Sequence, residues 1–362
     1  MATEKPTCRW GIVSTGLISS WFVEDLQLER RDAKANHIIQ CIGSSSLEKG
    51  QAFVAKHCPK IRPTIYTSYD GVYTDPDVDC VYIGTPHSFH KQNCLDAIAA
   101  GKNVLCEKPF AINAREAKEV LDAARQKGVY VHEAMWLRHR PLVFHLRKLL
   151  YEDRAIGDVF RMRSDFAMFM DIPNLPDTSR YKDLALGAGS LLDIGIYSLT
   201  WGILTLDQDT PSRSEDPKIL AAQTHEDGIE VTSSVILQYP ASGRQGIISS
   251  TTMSNAVSDL VCRVQGTEGY IDVEGSAPSH PASFTVYKKQ KGAAADALAE
   301  VTRYDYSESA RGFIYEADDT ALDLAAGRKE SPIMPWKETI RVMEILDEIR
   351  RQGGTRYPQD GE

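Results

Sequence analysis

The stretch Ser14-Thr15-Gly16-Leu17-Ile18-Ser19 follows a short apolar run, Arg9 to Ser14, and opens a segment with helical spacing, Leu17 to Leu28. Small residues after a first strand let the backbone turn, approach a pyrophosphate and seat a helix on the strand. Gly16 takes the middle position and serines take the outer two. The N-terminus of the next helix offers free N–H groups and the positive end of its dipole. Ser14, Gly16, Leu17 and Ile18 are therefore the candidate pyrophosphate loop. A second segment, Ile42-Gly43-Ser44-Ser45-Ser46, is followed by Lys49. A site for NAD places Asp or Glu at this strand end, to hold the ribose hydroxyls. No acid stands there. The hydroxyls of Ser44 and Ser45 and the ammonium of Lys49 suit a 2′-phosphate, which predicts NADP. Further along, Asp193 precedes Tyr197 by four residues, a spacing that puts both on one helix face. Taken singly, such residues are ordinary: a lysine is usually solvated, a tyrosine packs, and Asp193 can cap its helix.

The elements that must hold these groups alternate strand and helix through the first third. Strands are expected at Arg9–Ser14, His37–Gly43, Cys80–Gly84, Asn103–Cys106 and Val129–His132. Helices are expected at Leu17–Leu28, Leu47–His57, Ser88–Ala100 and Ala114–Lys127. Continuous apolar strands between amphipathic helices predict a parallel sheet covered on both faces, an α/β Rossmann-like doubly wound domain over 1–130. From Pro141 the rhythm changes. A helix at Leu142–Tyr151, a long strand at Val159–Met170 and a helix at Leu191–Leu204 precede strands at Glu230–Tyr239, Gln245–Met253, Leu260–Gln265 and Tyr270–Val273. Val231, Ser233, Val235 and Leu237 share one face, so residues 131–362 are expected to form an α+β domain on an open, mainly antiparallel sheet. The Ala- and Gly-rich segment Lys291–Leu298 reads as a surface loop. Helices at Gly312–Ala326 and Trp336–Arg351 close the chain, and the last can pack back on the first domain.

Three further segments carry more weight together than apart. Thr85-Pro86-His87-Ser88-Phe89-His90 follows the third strand and Glu107-Lys108-Pro109 the fourth, at the carboxyl ends where open α/β sheets bind ligands. Leu192-Asp193-Ile194-Gly195-Ile196-Tyr197 opens a helix in the second domain. In order and spacing, with Glu133-Ala134-Met135-Trp136, the turn Gly266-Thr267-Glu268-Gly269 and the final helix, they resemble the glucose–fructose oxidoreductase and inositol dehydrogenase family over nearly the whole chain. The loop Ser14–Ser19, Tyr197 with Trp201 after it, and the run Met343–Arg350 are most similar to the branch of NADP-dependent D-xylose dehydrogenases and dimeric dihydrodiol dehydrogenases.

The resemblance implies roles. Oxidising a sugar hydroxyl needs a base for the O–H proton and an acceptor for the hydride. A phenol, with a pKa of about 10, serves as base only when that value is lowered. An ammonium nearby favours the phenolate. The resemblance makes Tyr197 the base and Lys108 the charge beside it, with Asp193 orienting the substrate or Lys108, or else capping its helix. It implies a cis Lys108–Pro109 bond. It places Thr85, Pro86, His87, His90, Glu107 and Lys108 beside the cofactor, and Trp136, Phe166 and Tyr181 along the substrate. Phe169 is a further aromatic candidate for that wall. The leading expectation is hydride transfer from C1 of D-xylose to NADP, giving the lactone. Oxidation of a trans-dihydrodiol and a non-catalytic NADP sensor are the alternatives, and a homodimer is the assembly the resemblance implies.

Composition narrows the field. The 362 residues carry a net charge of −9, which disfavours a nucleic-acid partner. No run was expected to match the roughly 18–20 apolar residues of a membrane helix. Residues 1–6 do not read as a signal peptide. Seven cysteines without a Cys-x-x-Cys pair read as free thiols in a reducing, cytoplasmic setting, with no metal site.

Overall fold

A computed structural model describes residues 4–207, 215–290, 298–306 and 310–361. The first sheet is built from β1 (Thr7–Val13), β2 (Asn36–Gly43), β3 (Thr64–Tyr66), β4 (Cys80–Ile83), β5 (Asn103–Glu107) and β6 (Val131–Ala134). Its order is β3-β2-β1-β4-β5-β6 and every pair is parallel. The order reverses between β1 and β4, which opens a crevice at their carboxyl ends. The helices that follow successive strands are α1 (Leu17–Leu26), α2 (Leu47–His57), α3 (Tyr69–Thr74), α4 (His90–Ala99) and α5 (Ala114–Lys127). All four residues of β4 are buried, as a strand covered on both faces requires.

The chain divides into two units: Met1–His139 with Ala310–Met343, and Arg140–Ser309 with Glu344–Glu362. The boundary expected at 130 precedes β6, which pairs with β5 and so belongs with the first sheet. The first unit also takes in α8 (Phe313–Ala325). Gly312, at φ +113°, starts α8 without a side-chain cap; the carboxylate of Asp25 in α1 substitutes, accepting the Gly312 and Phe313 N–H groups at 2.8 and 3.0 Å. A buried chain of hydrogen bonds ties α8 to β6. Asp319 accepts from His139 Nδ1 at 2.8 Å, the facing His139 and His132 Nε2 atoms are 3.3 Å apart, and Thr320 Oγ1 reaches His132 Nδ1 at 3.3 Å. Burial holds His132 well below the usual histidine range.

The second unit holds α6 (Pro141–Tyr151), α7 (Ile196–Leu206) and an eight-stranded sheet. Its strands are β7 (Val159–Ala167), β8 (Lys218–Glu226), β9 (Ile229–Gln238), β10 (Gln245–Thr251), β11 (Leu260–Gly266), β12 (Gly269–Ala277), β13 (His280–Lys289) and β14 (Leu298–Asp305), in the order β14-β13-β12-β11-β7-β10-β9-β8. Only β7 and β10 run parallel among these pairs. The last helix, α9 (Trp336–Gly353), has residues in both units.

Several expectations need correction. The long strand stops at Ala167, and β8, β13 and β14 were not anticipated. Of the expected loop at 291–298, residues 291–297 lie outside the described residues and Leu298 begins β14. One stretch, Leu184–Leu206, is long and apolar enough to cross a membrane, with mean hydropathy 1.3; 89% of its window is buried in the protein interior, which accounts for its composition. All seven cysteines are free and buried.

Candidate active site

In the first unit the candidate residues sit at the carboxyl ends of β1, β2, β4 and β5. Ser14 adopts φ +91°, its N–H donates to Gly43 O at 3.2 Å, and its Oγ accepts the Gly16 N–H at 3.2 Å. A left-handed serine is uncommon and marks a turn held by its surroundings. Gly16 is the N-cap of α1 and brings no capping side chain, so the first-turn N–H groups stay open to an anion. Leu17 is 68% exposed, and Ile18 is half-buried. Ser19 Oγ and Ser44 Oγ are buried with no hydrogen-bond partner among the described residues. At the end of β2, Lys49 Nζ donates to Ser45 Oγ at 3.2 Å, while Ser46 caps α2 through the Lys49 N–H.

The β4 and β5 ends are joined by His90. Its Nε2 lies 2.9 Å from Thr85 O and its Nδ1 2.9 Å from Pro109 O. Two carbonyl acceptors would favour an imidazolium, whereas burial opposes it. Burial is the larger effect and pulls the ring down to about 4, so it is neutral near pH 7 and donates to one carbonyl at a time. Asn93 donates to Thr85 Oγ1 at 3.1 Å, and Pro86 leads into a single 3₁₀ turn, His87–Phe89, with His87 buried. Lys108 is half-buried and its peptide bond to Pro109 is cis. Glu107 accepts Tyr82 O–H at 2.7 Å and the Lys108 N–H at 3.2 Å. Burial raises the Glu107 carboxyl.

Burial also raises Glu316 of α8, and the nearby Glu107 adds to the effect. Both Glu316 oxygens lack a hydrogen-bond partner among the described residues. The unfolded chain loses this proton at about pH 4.3 and the fold only well above that, so stability falls as pH rises across the window. Glu316→Gln removes the titration. The melting temperature of the variant relative to the parent is expected to rise by several degrees from about pH 4 to about pH 8. A difference that stays flat over that range contradicts this assignment.

In the second unit, α7 is preceded by a π-helical turn, Leu191–Gly195. Wide turns of this kind occur often at functional sites. It lies close to β10: a Cβ on Gly195 would meet Ser250 Oγ at 2.7 Å, so a larger residue would displace that side chain. Its start is held by Glu230, which accepts the Leu191 N–H at 2.8 Å and Ser190 O–H at 2.6 Å. Glu230 therefore does the capping that Asp193 could have done. The Asp193 oxygens both accept from Arg180 Nη2, each at 3.2 Å, and Arg180 also donates to Tyr181 Oη at 2.9 Å while its guanidinium stacks 4.2 Å from that ring. Tyr197, 4% exposed on α7, has the Phe166 ring 6.0 Å away. Phe169 is 54% exposed. Trp136, expected along the substrate, belongs to the first unit, where it is buried and stacked 4.6 Å from Phe313. Sequence reasoning missed Arg180, Glu230 and Glu316: the first two lie 13 and 40 residues from the groups they hold, with no local pattern to flag them. Among the described residues no cluster of His, Cys, Asp and Glu could hold a metal.

The geometry meets a clear likeness to known proteins. Residues 8–135 match an oxidoreductase family with an NAD-binding Rossmann fold, and residues 144–272 match the C-terminal domain of the same family. The chain is 32% identical to D-xylose 1-dehydrogenase (NADP(+)) of Hypocrea jecorina, over 99% of this chain and 95% of that protein. It is 35% identical to trans-1,2-dihydrobenzene-1,2-diol dehydrogenase of Bos taurus, over 97% and 98%. Among solved structures, levoglucosan dehydrogenase in complex with NADH and levoglucosan shares the fold at a TM-score of 0.80 with 20% identity, covering 96% of this chain and 97% of that one. With both domains matched in order and full-length relatives above 30% identity, this chain belongs to the GFO/IDH/MocA family of oxidoreductases.

Proposed function

We propose that the protein is an NADP-dependent dehydrogenase that oxidises a hydroxyl of a cyclic sugar, with C1 of D-xylose as the first choice of substrate. The observation that carries it is the full-length likeness to a D-xylose 1-dehydrogenase (NADP(+)), joined to the acid-free end of β2. The cofactor fits the residues present. The uncapped start of α1, the left-handed Ser14 turn and the partnerless Ser19 and Ser44 hydroxyls suit a pyrophosphate and ribose, and Ser45 with Lys49 suits a 2′-phosphate. When bound, NADP supplies the hydride acceptor. On this reading Tyr197 takes the hydroxyl proton at its phenolic oxygen, and the family likeness gives the Lys108 ammonium the role of favouring the phenolate. Arg180 holds both Asp193 oxygens, which suits Asp193 to orienting groups rather than to taking a proton.

The cofactor preference has its own test. Isothermal titration is expected to show NADP binding at least tenfold more tightly than NAD, since a charge-assisted phosphate contact contributes roughly 1.5–3 kcal/mol. Equal or tighter NAD binding contradicts it. A second reading is favoured by the 35% identity to trans-dihydrodiol dehydrogenases: the same base and cofactor would oxidise a trans-dihydrodiol to a catechol. NADP reduction over pentoses, hexoses, inositols and trans-dihydrodiols separates the two.

A further inference from the structure

We propose that Arg180 is a positioning residue that cancels the charge of Asp193, so that this carboxylate does not oppose the loss of the Tyr197 proton. The proposal rests on the reading of Tyr197 as the base.

A base on α7 has an electrostatic problem of its own making. Asp193 stands four residues before Tyr197, about one helical turn away, and a carboxylate there disfavours a phenolate. The fold answers with one guanidinium. Arg180 Nη2 reaches both Asp193 oxygens at 3.2 Å, and the side chains are 32% and 15% exposed, so the pair is only partly screened by water. Stacking on Tyr181 at 4.2 Å and the bond to its Oη at 2.9 Å hold the guanidinium in place, from the short turn Arg180–Lys182.

The other described groups near Asp193 in this unit are neutral, acidic, or held by other carboxylates. Tyr357, from the C-terminal segment, faces Asp193 but is neutral, with burial raising its phenol, and its hydroxyl donates to Ala188 O at 3.1 Å. Behind it, Arg350 is taken up by Asp347 and Asp360, with closest bonds of 2.6 Å to each. Glu230 adds negative charge and is held by Ser190, Ser233 and the Leu191 N–H. Tyr181, the remaining titratable neighbour, is raised by burial and by Asp193 and stays protonated. The uncharged Phe166 ring lies 6.0 Å from that of Tyr197. Among the described contacts of this unit, Arg180 is a cation paired with Asp193.

The test reads the Tyr197 phenol without substrate, by NMR of protein carrying isotope-labelled tyrosine Cζ, with the resonance assigned by its loss in Tyr197→Phe. Arg180→Gln is expected to raise the Tyr197 titration midpoint by about one pH unit, the size expected of a unit charge a helix turn away. Asp193→Asn is expected to lower it, the double variant to return it close to the parent, and Arg180→Lys, which keeps the charge, to leave it nearly unmoved. A purely structural role for Arg180 predicts no such pattern of signs. If Arg180→Gln does not fold, Asp193→Asn alone decides by the direction of its shift. A midpoint unmoved in Arg180→Gln, one that stays raised in the double variant, or one unmoved or raised in Asp193→Asn overturns the proposal. An active Tyr197→Phe would instead overturn the reading of Tyr197 as base, and leaves the NMR result to be judged by itself.

Discussion

Tyr197→Phe is expected to lower kcat/KM for D-xylose oxidation by about 10²–10⁴-fold, the usual loss when a positioned base is removed. The change deletes one oxygen and keeps the ring, so packing on α7 and against Phe166 is retained and the melting temperature should move little. On the proposed reading, kcat/KM in the parent rises with pH along a limb set by loss of the Tyr197 proton. The rival is that Tyr197 only packs beside the substrate. That rival requires a Phe variant with near-normal kcat and the same rising limb. Steady-state kinetics across pH, with thermal melts as the folding control, distinguish them.

Lys108→Met is expected to abolish nearly all turnover while NADP still binds within a few-fold of the parent. Methionine matches the lysine stem in length and removes the ammonium. The lost charge matters where negative charge develops on oxygen, in the transition state, so the change falls mainly on kcat rather than on cofactor affinity. Lys108 N–H and Glu107 remain to hold the β5 end, through a backbone contact that the substitution leaves intact. Titration of NADP into the variant and single-turnover rates supply both readings. Activity within a few-fold of the parent contradicts the role assigned to Lys108.

Five strands of the first sheet were legible as short apolar runs, Cys80–Ile83 most plainly, whereas β3, three residues long with no buried residue, was not anticipated. The boundary of β6 is instructive as well. The fifth expected strand ended at His132, yet β6 runs on to Ala134 with Glu133 fully enclosed. Burial raises that carboxyl to about 7, so the strand accommodates an acid that is substantially protonated near neutrality. In the second sheet β8 and β14 escaped notice for the opposite reason. Both are edge strands, and most of their residues are exposed, so no apolar alternation marks them. β13 was hidden by Pro281 and by the buried polar residues Ser283 and Thr285.

For the site, the local motifs were readable and the tertiary partners were not. Gly16, the serines after β2 and the Asp193–Tyr197 spacing are patterns within a few residues. Whether Asp193 caps its helix or orients other groups depends on Glu230 and Arg180, which only the fold brings to the same turn. Glu316 reaches the neighbourhood of Glu107 from more than two hundred residues away in the chain, on a helix whose first turn is capped by Asp25. Such partners leave no periodic trace in the sequence, because side chains that meet across elements obey no fixed spacing.

The most direct test of the central claim follows NADPH formation by the purified protein, with D-xylose and trans-dihydrodiols offered side by side. The account predicts NADPH accumulating with D-xylose at a higher kcat/KM than with any dihydrodiol, and a lactone product. Absence of NADPH formation with every sugar, or a clear preference for the dihydrodiol, would contradict it.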